Sequence, residues 1–427
     1  MMKIKLAIIL HFLIFTFASP KSVNNYPESA ILLVNGYIFD VHNGKYITGH
    51  DLVIIDDKIV EIVSHDKISR QNFSSIIDLE GKYIIPGLID SHVHLTSMPN
   101  ENCLEIALLK GVTTVRDMGG DGKYLLDLQN AILTEEIVGP DIYFSAVMGG
   151  ERFISKDSRV KVSTPPEYEL GEAPWARLVT HNSIIAEIID DAIKCGATGI
   201  KIYQDLDKEI IKKLSECAKE KGIKVWGHGF VYPANFYDTI TSGVEVVSHA
   251  NSIVLKDSWT PESRNSIDID TTLIKTQKIV EYFEIMKTRS IYYDPTLKIM
   301  EYLFKTYKNQ EDIHQTSNYI YKALNMAYNY GVKFVAGTDY PLPSKKSELF
   351  PLHEEIIFLV EKAGFKPSDA IISATLHGAE ILGISDSIGS IENCKTANLV
   401  ILKDDPLTDI RNISSIDFVI KNGIIYK

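Results

Sequence analysis

Eight apolar, β-rich runs alternate with segments of helical periodicity through the middle of this 427-residue chain. They recur at intervals of roughly thirty to fifty residues, a spacing typical of βα units. We predict strands over residues 84–94, 113–117, 141–148, 198–203, 223–228, 244–249, 290–296 and 332–339. Eight such units favour an α/β fold, the (β/α)8 TIM barrel, over an open doubly wound sheet. No G-x-G-x-x-G follows any of these runs, which also counts against a dinucleotide-binding sheet.

Short β-rich runs separated by turns occupy both ends of the chain. Asn35-Gly36 and Asn422-Gly423 each lie between apolar runs, a strong signal for a β-hairpin. Two β-rich ends around one long middle predict that the ends pair into a single small β-sandwich. The predicted domains are therefore a composite sandwich of residues 27–85 plus 388–427 and a barrel of residues 86–387.

Residues 1–18 have the pattern of a secretory signal peptide. Lys3 and Lys5 precede a nearly unbroken apolar run, and small residues follow it. We predict cleavage after Ala18, which makes the mature protein periplasmic or secreted and leaves it no stable membrane anchor. An uncleaved membrane anchor is the alternative.

The charge of the chain restricts its partners. The formal net charge is −12, and loss of the two leader lysines makes the mature protein more acidic. The sequence has no basic stripe that could follow a phosphate backbone, so nucleic acid is not expected as a partner. We expect a small-molecule substrate and leave open a homo-oligomer.

Polar residues end several of the predicted strands, where a (β/α)8 barrel carries its functional groups. They are His92, His94, Lys201, His228, His249 and Asp339. His92 and His94 are two residues apart in an extended run, so both imidazoles can point to one face. Lys201 lies inside an apolar run, so we expect it to be neutral, paired or chemically altered.

Together these six side chains suit a metal centre. A tetrahedral zinc ion takes four ligands, so six candidates suggest two divalent metal ions with a shared bridge. Lys201 becomes an oxygen ligand if its amine takes up carbon dioxide to form a carbamate. We predict a metal-bridging hydroxide as the nucleophile and Asp339 as the catalytic residue that accepts its proton and passes it to the leaving group.

The chain resembles the amidohydrolase superfamily, in particular its imidazolonepropionase-like branch, which includes bacterial dipeptidases and prolidases. The family pattern P-G-x-[IV]-D-x-H-x-H matches Pro86 to His94, and its G-[TS]-D matches Gly337 to Asp339. Its strand-borne lysine and histidines match Lys201, His228 and His249. Asn398 stands where the family usually has Asp. The resemblance implies a metal-dependent hydrolase with the barrel and the composite sandwich. The six ligands themselves predict two divalent ions, which we expect to be zinc, and a carbamylated Lys201. Imidazolonepropionases proper use one metal and lack that lysine, which disfavours their substrate.

Other positions bear on substrate binding. Dipeptide-cleaving relatives commonly have Gly-Gly-His after the third strand, where this chain has Gly149-Gly150-Glu151. Tyr232 follows the fifth-strand histidine one position later than the tyrosine that in those relatives holds a substrate carboxylate. Arg152 and Arg159, in the turn-rich segment 148–177 that we interpret as a candidate lid, are candidates to bind an anionic group. Ordinary solvated arginines are the alternative.

We therefore predict hydrolysis of an amide or related C–N bond in a small substrate, such as a dipeptide or an N-acyl amino acid. A lactonase or phosphotriesterase using the same metal pair is the alternative within enzymes. A non-catalytic metal-binding barrel is the alternative from another class. Asp339 argues against it, since a protein that only binds metal needs no proton shuttle. Separately, we expect a buried ion pair between Arg116 and Asp117.

Overall fold

The computed structural model describes residues 26–98, 100–261, 269–306, 310–345 and 349–427. The predicted signal peptide, residues 1–18, lies outside the described residues. Within the described ranges, no helix combines the length and the apolar character needed to cross a membrane.

Seven strands precede the barrel and form parts of two sheets. They are β1 (Ile31–Val34), β2 (Tyr37–Asp40), β3 (Lys45–Ile47), β4 (His50–Ile55), β5 (Lys58–Ser64), β6 (Ser75–Asp78) and β7 (Tyr83–Pro86). One sheet has the order β5-β4-β1-β6. Strands β2, β3 and β7 belong to the other sheet.

Ten strands and thirteen helices follow among the described residues. The strands are β8 (Leu88–Val93), β9 (Val112–Asp117), β10 (Asp141–Gly149), β11 (Glu172–Ala173), β12 (Ala176–Leu178), β13 (Gly199–Ile202), β14 (Lys224–His228), β15 (Val246–Ser248), β16 (Tyr292–Asp294) and β17 (Lys333–Phe334). The helices are α1 (Asn102–Leu109), α2 (Gly122–Leu133), α3 (Glu151–Lys156), α4 (Ser158–Val162), α5 (Ile185–Lys194), α6 (Lys208–Glu220), α7 (Phe236–Thr241), α8 (Gln277–Thr288), α9 (Leu297–Thr306), α10 (Gln310–Tyr330), α11 (Pro351–Glu361), α12 (Pro367–Ser373) and α13 (Leu376–Leu382).

The barrel strands are β8, β9, β10, β13, β14, β15, β16 and β17, and each pairs in parallel with the next. Backbone hydrogen bonds from Ser91 N to Ala336 O (2.9 Å) and from Asp339 N to His92 O (2.8 Å) connect the last strand region to the first. Every residue of β8 and β13 is buried, as expected for strands covered on both faces. The predicted α/β barrel is therefore confirmed.

The chain ends in three strands, β18 (Leu399–Leu402), β19 (Ile416–Lys421) and β20 (Ile424–Tyr426). Strand β18 pairs antiparallel with β7, so strands from the two ends of the chain share one sheet, of order β20-β19-β18-β7-β2-β3. Side chains including Leu33, Leu52, Ile84 and Leu399 pack between this sheet and the first one. The predicted composite sandwich is thus present, while its predicted boundaries stay a prediction.

Two local predictions were wrong. Asn35-Gly36 does not form a hairpin, because β1 pairs with β4 and β6 whereas β2 pairs with β3 and β7. The turn instead passes the chain from one sheet to the other, with Asn35 at φ 57°. Asn422-Gly423 does join the antiparallel pair β19 and β20. The predicted single strand 84–94 is also two strands, which are separated at Gly87: β7 pairs in the sandwich and β8 in the barrel. A Cβ at position 87 would lie 2.2 Å from Thr113 Oγ1, so only glycine fits there.

Candidate metal centre

The carboxyl ends of the barrel strands bring together the polar side chains found in the sequence. The rings of His92 and His94 have centroids 5.5 Å apart, those of His92 and His249 5.4 Å, and those of His228 and His249 4.5 Å. His92, His94 and Asp339 each offer a ligand atom, and these three atoms lie within 4.8 Å of one another. Four imidazoles and a carboxylate therefore converge on one small volume.

Asp339 lies at the centre of this cluster. Its Oδ1 is 3.3 Å from His94 Nε2 and 3.7 Å from His92 Nε2, and its Oδ2 is 3.8 Å from His249 Nδ1. Asp339 and His249 both have left-handed backbones, with φ of 47° and 79°. This conformation is costly for residues other than glycine and often marks functional sites.

Burial and proximity set the charge states in the cluster. Burial lowers the pKa of His92 to about 4 and that of His249 to about 3, so both are neutral at neutral pH and can offer a lone pair. Burial opposes ionisation of Asp339, but the neighbouring His92, His94 and His249 outweigh it and hold the pKa of this carboxyl well below its usual range. Burial also lowers the pKa of His228, so the carboxylate lies among three neutral imidazoles. Burial opposes protonation of His94 too, but the hydrogen bond and the charge of Asp339 outweigh it and raise the pKa of that ring.

Lys201 is fully buried on β13. Its Nζ donates a hydrogen bond to Ser248 Oγ (3.1 Å) and lies 5.9 Å from the centre of the Tyr203 ring. Burial lowers the pKa of Lys201 to about 7. A large fraction of the amine is thus neutral near pH 7, and only the neutral amine can act as a nucleophile.

Asp294, which the sequence analysis missed, connects several members of the cluster. Its Oδ2 lies 2.7 Å from His92 Nδ1 and accepts a hydrogen bond from Ser248 Oγ at 3.0 Å. The carboxylate therefore fixes the proton on Nδ1 and turns the Nε2 lone pair of His92 towards Asp339. The signal was present in the sequence, because Asp294 lies inside an apolar β-rich run just as Lys201 does.

The predicted ion pair between Arg116 and Asp117 was wrong. Neighbouring strand residues point to opposite faces, and Arg116 instead reaches across the barrel to Asp294, with Nη2 3.5 Å from Oδ2. Asp117 accepts backbone hydrogen bonds from Leu95 N (2.6 Å) and Gly119 N (2.9 Å). Asp117 thus shapes the loops after the first two barrel strands.

Two cavities adjoin the cluster. A cavity of about 450 Å³ is lined by His228, His249 and Asp339 together with side chains from α9 and the loops after β14 and β15. A second, of about 90 Å³, lies beside His94 and the Gly119–Gly120 turn. Arg159 on α4 lines both.

The three predicted substrate-binding residues lie in different places. Arg159 faces the cavities, where its Nε and Nη2 pair with Asp157 (2.9 and 2.7 Å) and its Nη1 donates to Tyr203 OH (3.0 Å). Arg152 lies over the ring of Tyr232, 5.3 Å from its centre. Among the described residues, neither Arg152 nor Tyr232 lines these two cavities. Segment 148–177 forms α3, α4, β11 and β12.

Comparison with known proteins identifies the family. The sequence model of the amidohydrolase family matches residues 83–425. This chain belongs to the amidohydrolase family. Adenine deaminase 2 of Oenococcus oeni is 40% identical over 91 residues, which cover 21% of this chain and only 16% of the deaminase. Imidazolonepropionase of Fusobacterium nucleatum is 24% identical over an alignment of 446 positions, which covers 91% of this chain and 92% of that protein.

A solved Xaa-Pro dipeptidase with bound methionine in its active site has the same fold. It superimposes with a TM-score of 0.73 at 23% identity and covers 93% of this chain and all of the dipeptidase. The resemblance found in the sequence motifs is confirmed.

Proposed function

We propose that this amidohydrolase is a binuclear metal-dependent hydrolase that cleaves an amide bond in a small substrate, such as a dipeptide or an N-acyl amino acid. The observation that carries the proposal is the convergence of four histidines, one carboxylate and one buried lysine at the same end of the barrel. Zinc is the metal we expect, since neutral imidazoles and carboxylates are its usual ligands.

The chemistry of the residues fits a pair of divalent ions. His228 Nδ1 is buried and has no hydrogen-bond partner among the described residues. His94 Nδ1 is bonded to Gly119 O at 3.0 Å, which leaves its Nε2 directed at Asp339. Buried polar atoms of this kind are costly unless something satisfies them. His92, His94, His228, His249, Asp339 and a carbamylated Lys201 would hold the ions.

Bound metal ions would supply an activated water and polarise the carbonyl of the scissile bond. The protein's own groups then have distinct tasks. Asp339 is ionised, so it can accept the proton of the attacking water and deliver it to the leaving nitrogen. Asp294 holds the Nδ1 proton of His92 and so keeps that ring in a single orientation.

The same centre could activate water against a lactone or a phosphotriester. Parallel assays of dipeptides, N-acyl amino acids, lactones and phosphotriesters would separate these reactions, with Asp339→Asn as the control. We expect turnover of an amide. Turnover of lactones or phosphotriesters without turnover of amides would refute amide hydrolysis and support the corresponding alternative. Metal binding without turnover of any of these substrates would support a non-catalytic barrel.

Loss of the first-strand histidines should remove the metal. In His92→Ala/His94→Ala we expect metal content to fall from about two zinc ions per chain to one or fewer, because these residues supply half of the imidazoles. Elemental analysis after dialysis measures this. The control is His377→Ala, since His377 bonds to the carbonyl of Phe334 at 2.8 Å and should leave the metal content unchanged. Equal metal content in the double variant and the wild type would refute the proposal.

Asp294→Asn should weaken metal binding. An amide can still hydrogen-bond to His92 but no longer favours one tautomer, so we expect metal affinity to fall by about 10- to 100-fold. Competition with a chelator measures the affinity. Asp51→Asn is a matched control, because Asp51 is a buried carboxylate paired with His65 (2.7 Å) in the sandwich. An unchanged affinity in Asp294→Asn would show that Asp294 has no positioning role.

A further inference from the structure

The two cavities beside the candidate metal centre differ in size, and polar residues line part of each. The larger one has an apolar wall made of Phe230, Leu255, Trp259, Met300, Leu303 and Phe304. The rings of Phe230 and Trp259 meet edge to face, with centroids 5.4 Å apart. A wall of this kind favours a large apolar group, at about 0.8 kcal/mol for each buried methylene.

Helix α9 supplies half of this wall. Met300 and Phe304 are nearly buried, whereas Leu303 is 46% exposed at the rim. Leu303 therefore extends the apolar surface of the aromatic lining residues towards the entrance of the cavity. The compartment, at about 450 Å³, has room for a group larger than a single amino-acid side chain.

The smaller cavity is closely bounded, and its lining includes one aliphatic side chain, Val162. Hydroxyl-bearing residues line it, together with His94 and backbone of two glycines: Thr96, Ser97, Ser158, Ser163, Gly119 and Gly120. A Cβ on Gly120 would lie 2.3 Å from Thr96 Oγ1, so Gly120 and Thr96 are already packed tightly against each other on this side of the cavity. About 90 Å³ accommodates only a few non-hydrogen atoms.

Arg159 lines both compartments. It pairs with Asp157 through both Nε and Nη2, and Tyr203 OH holds its Nη1. The guanidinium charge is therefore largely compensated by Asp157, and the remaining N–H groups can offer hydrogen bonds to either side. His94 adjoins the small compartment, while His228, His249 and Asp339 adjoin the large one. The scissile bond would thus lie where the compartments meet.

From this asymmetry in size, and from the aromatic wall of the larger cavity, we infer that the substrate joins a large apolar group to a small one through the amide that is cleaved. The inference rests on the proposed function. In the simplest case the apolar group is a medium-length acyl chain and the small group is an amine the size of glycine. Hydrolysis adds the hydroxyl of water to the acyl carbon and its proton to the leaving nitrogen, which releases a carboxylate and the amine.

A crossed set of four substrates tests the inference: acetyl or octanoyl, each joined to glycine or phenylalanine. With the zinc-loaded enzyme we expect kcat/KM on acylglycines to rise about fourfold per methylene until the large compartment is full. Octanoylphenylalanine should fall at least tenfold below octanoylglycine. If the reverse orientation operates, acetylphenylalanine exceeds acetylglycine and octanoylphenylalanine is again poor. Highest activity on the substrate with two large groups, or on the one with two small groups, would overturn the inference.

A variant at the rim provides the matched comparison. Leu303→Asp should lower kcat/KM for octanoylglycine by at least tenfold and leave acetylglycine within twofold. Leu133→Asp, at the exposed end of α2 (80% exposed), should change neither. Equal effects of Leu303→Asp on both substrates would contradict an apolar compartment.

Binding separates failure of this inference from failure of the proposed function. The Asp339→Asn variant should bind substrate without turnover and can be titrated with octanoylglycine or acetylglycine. The fluorescence of Trp259 reports binding, and the same titration of a variant that also carries Trp259→Phe gives the background signal. Tighter binding of the octanoyl compound without hydrolysis by the wild type would refute amide cleavage and retain the compartment assignment. Hydrolysis or binding that is indifferent to chain length, or no binding at all, would refute the assignment.

Discussion

Asp339→Asn is expected to lower kcat by about 10²- to 10⁴-fold, the usual contribution of a positioned acid–base group. Asparagine has nearly the same shape but cannot accept the proton of the attacking water. The backbone that positions residue 339 does not depend on its side chain. Asp339 N bonds to His92 O at 2.8 Å, and Thr338 Oγ1 donates to Asp90 Oδ2 at 2.8 Å.

Steady-state kinetics on the best amide substrate, with thermal unfolding and metal analysis alongside, measures this effect. The melting temperature should remain close to that of the wild type. Asp127→Asn, at an exposed position on α2, is the control and should retain full kcat. A kcat within threefold of the wild type in fully metal-loaded Asp339→Asn would exclude Asp339 as the proton carrier.

Lys201→Met should lower kcat/KM on the order of 10³-fold, because it removes the amine proposed to bridge the metals as a carbamate. The lysine is fully buried, and its pKa near 7 leaves neutral amine available. That amine forms a bond to the carbon of carbon dioxide and loses one proton, giving a carbamate anion. Methionine keeps the apolar stem but cannot react.

Two measurements test this role. Reconstitution of metal-free wild type should be faster or more complete with bicarbonate than in buffer free of carbon dioxide, and Lys201→Met should show no such dependence. Intact mass under mild conditions should show the wild type heavier by one carbon dioxide. Lys224→Met is the control. Lys224 begins β14, at the end of that strand away from His228, and its Nζ pairs with Glu245 at 2.9 Å. Wild-type activity that is indifferent to bicarbonate, together with an active Lys201→Met, would exclude the carbamate.

Most of the cluster could be predicted because it follows from local pattern. Each candidate ligand is a polar residue in or directly after the last part of an apolar run, and in a parallel barrel the carboxyl ends of all such runs meet at one rim. His92 and His94 needed only the two-residue repeat of a strand, and Lys201 only the cost of a charge in an apolar run. Asp294 is likewise a charged residue at the end of a buried strand, and the same cost of burying a charge predicts that it has a partner.

Pairings across the barrel could not be predicted in this way. Arg116 pairs with Asp294, which is 178 residues away in the chain, rather than with its neighbour Asp117. Asn35-Gly36 has the composition of a hairpin turn, but the strands beside it belong to different sheets. Side-chain direction and strand partner depend on residues distant in sequence, which one sequence does not reveal.

The sequence by itself determined the fold class and the side chains that gather at the rim, because strand period and strand order suffice to place those side chains. Its motifs determined the family. Only the tertiary structure decided what surrounds those side chains. It set Asp294 behind His92, placed Arg159 beside both compartments, and put Arg152 and Tyr232 against each other. Those arrangements arise from loops and helices packing over the barrel, where contacts between distant segments, rather than local periodicity, fix each side chain.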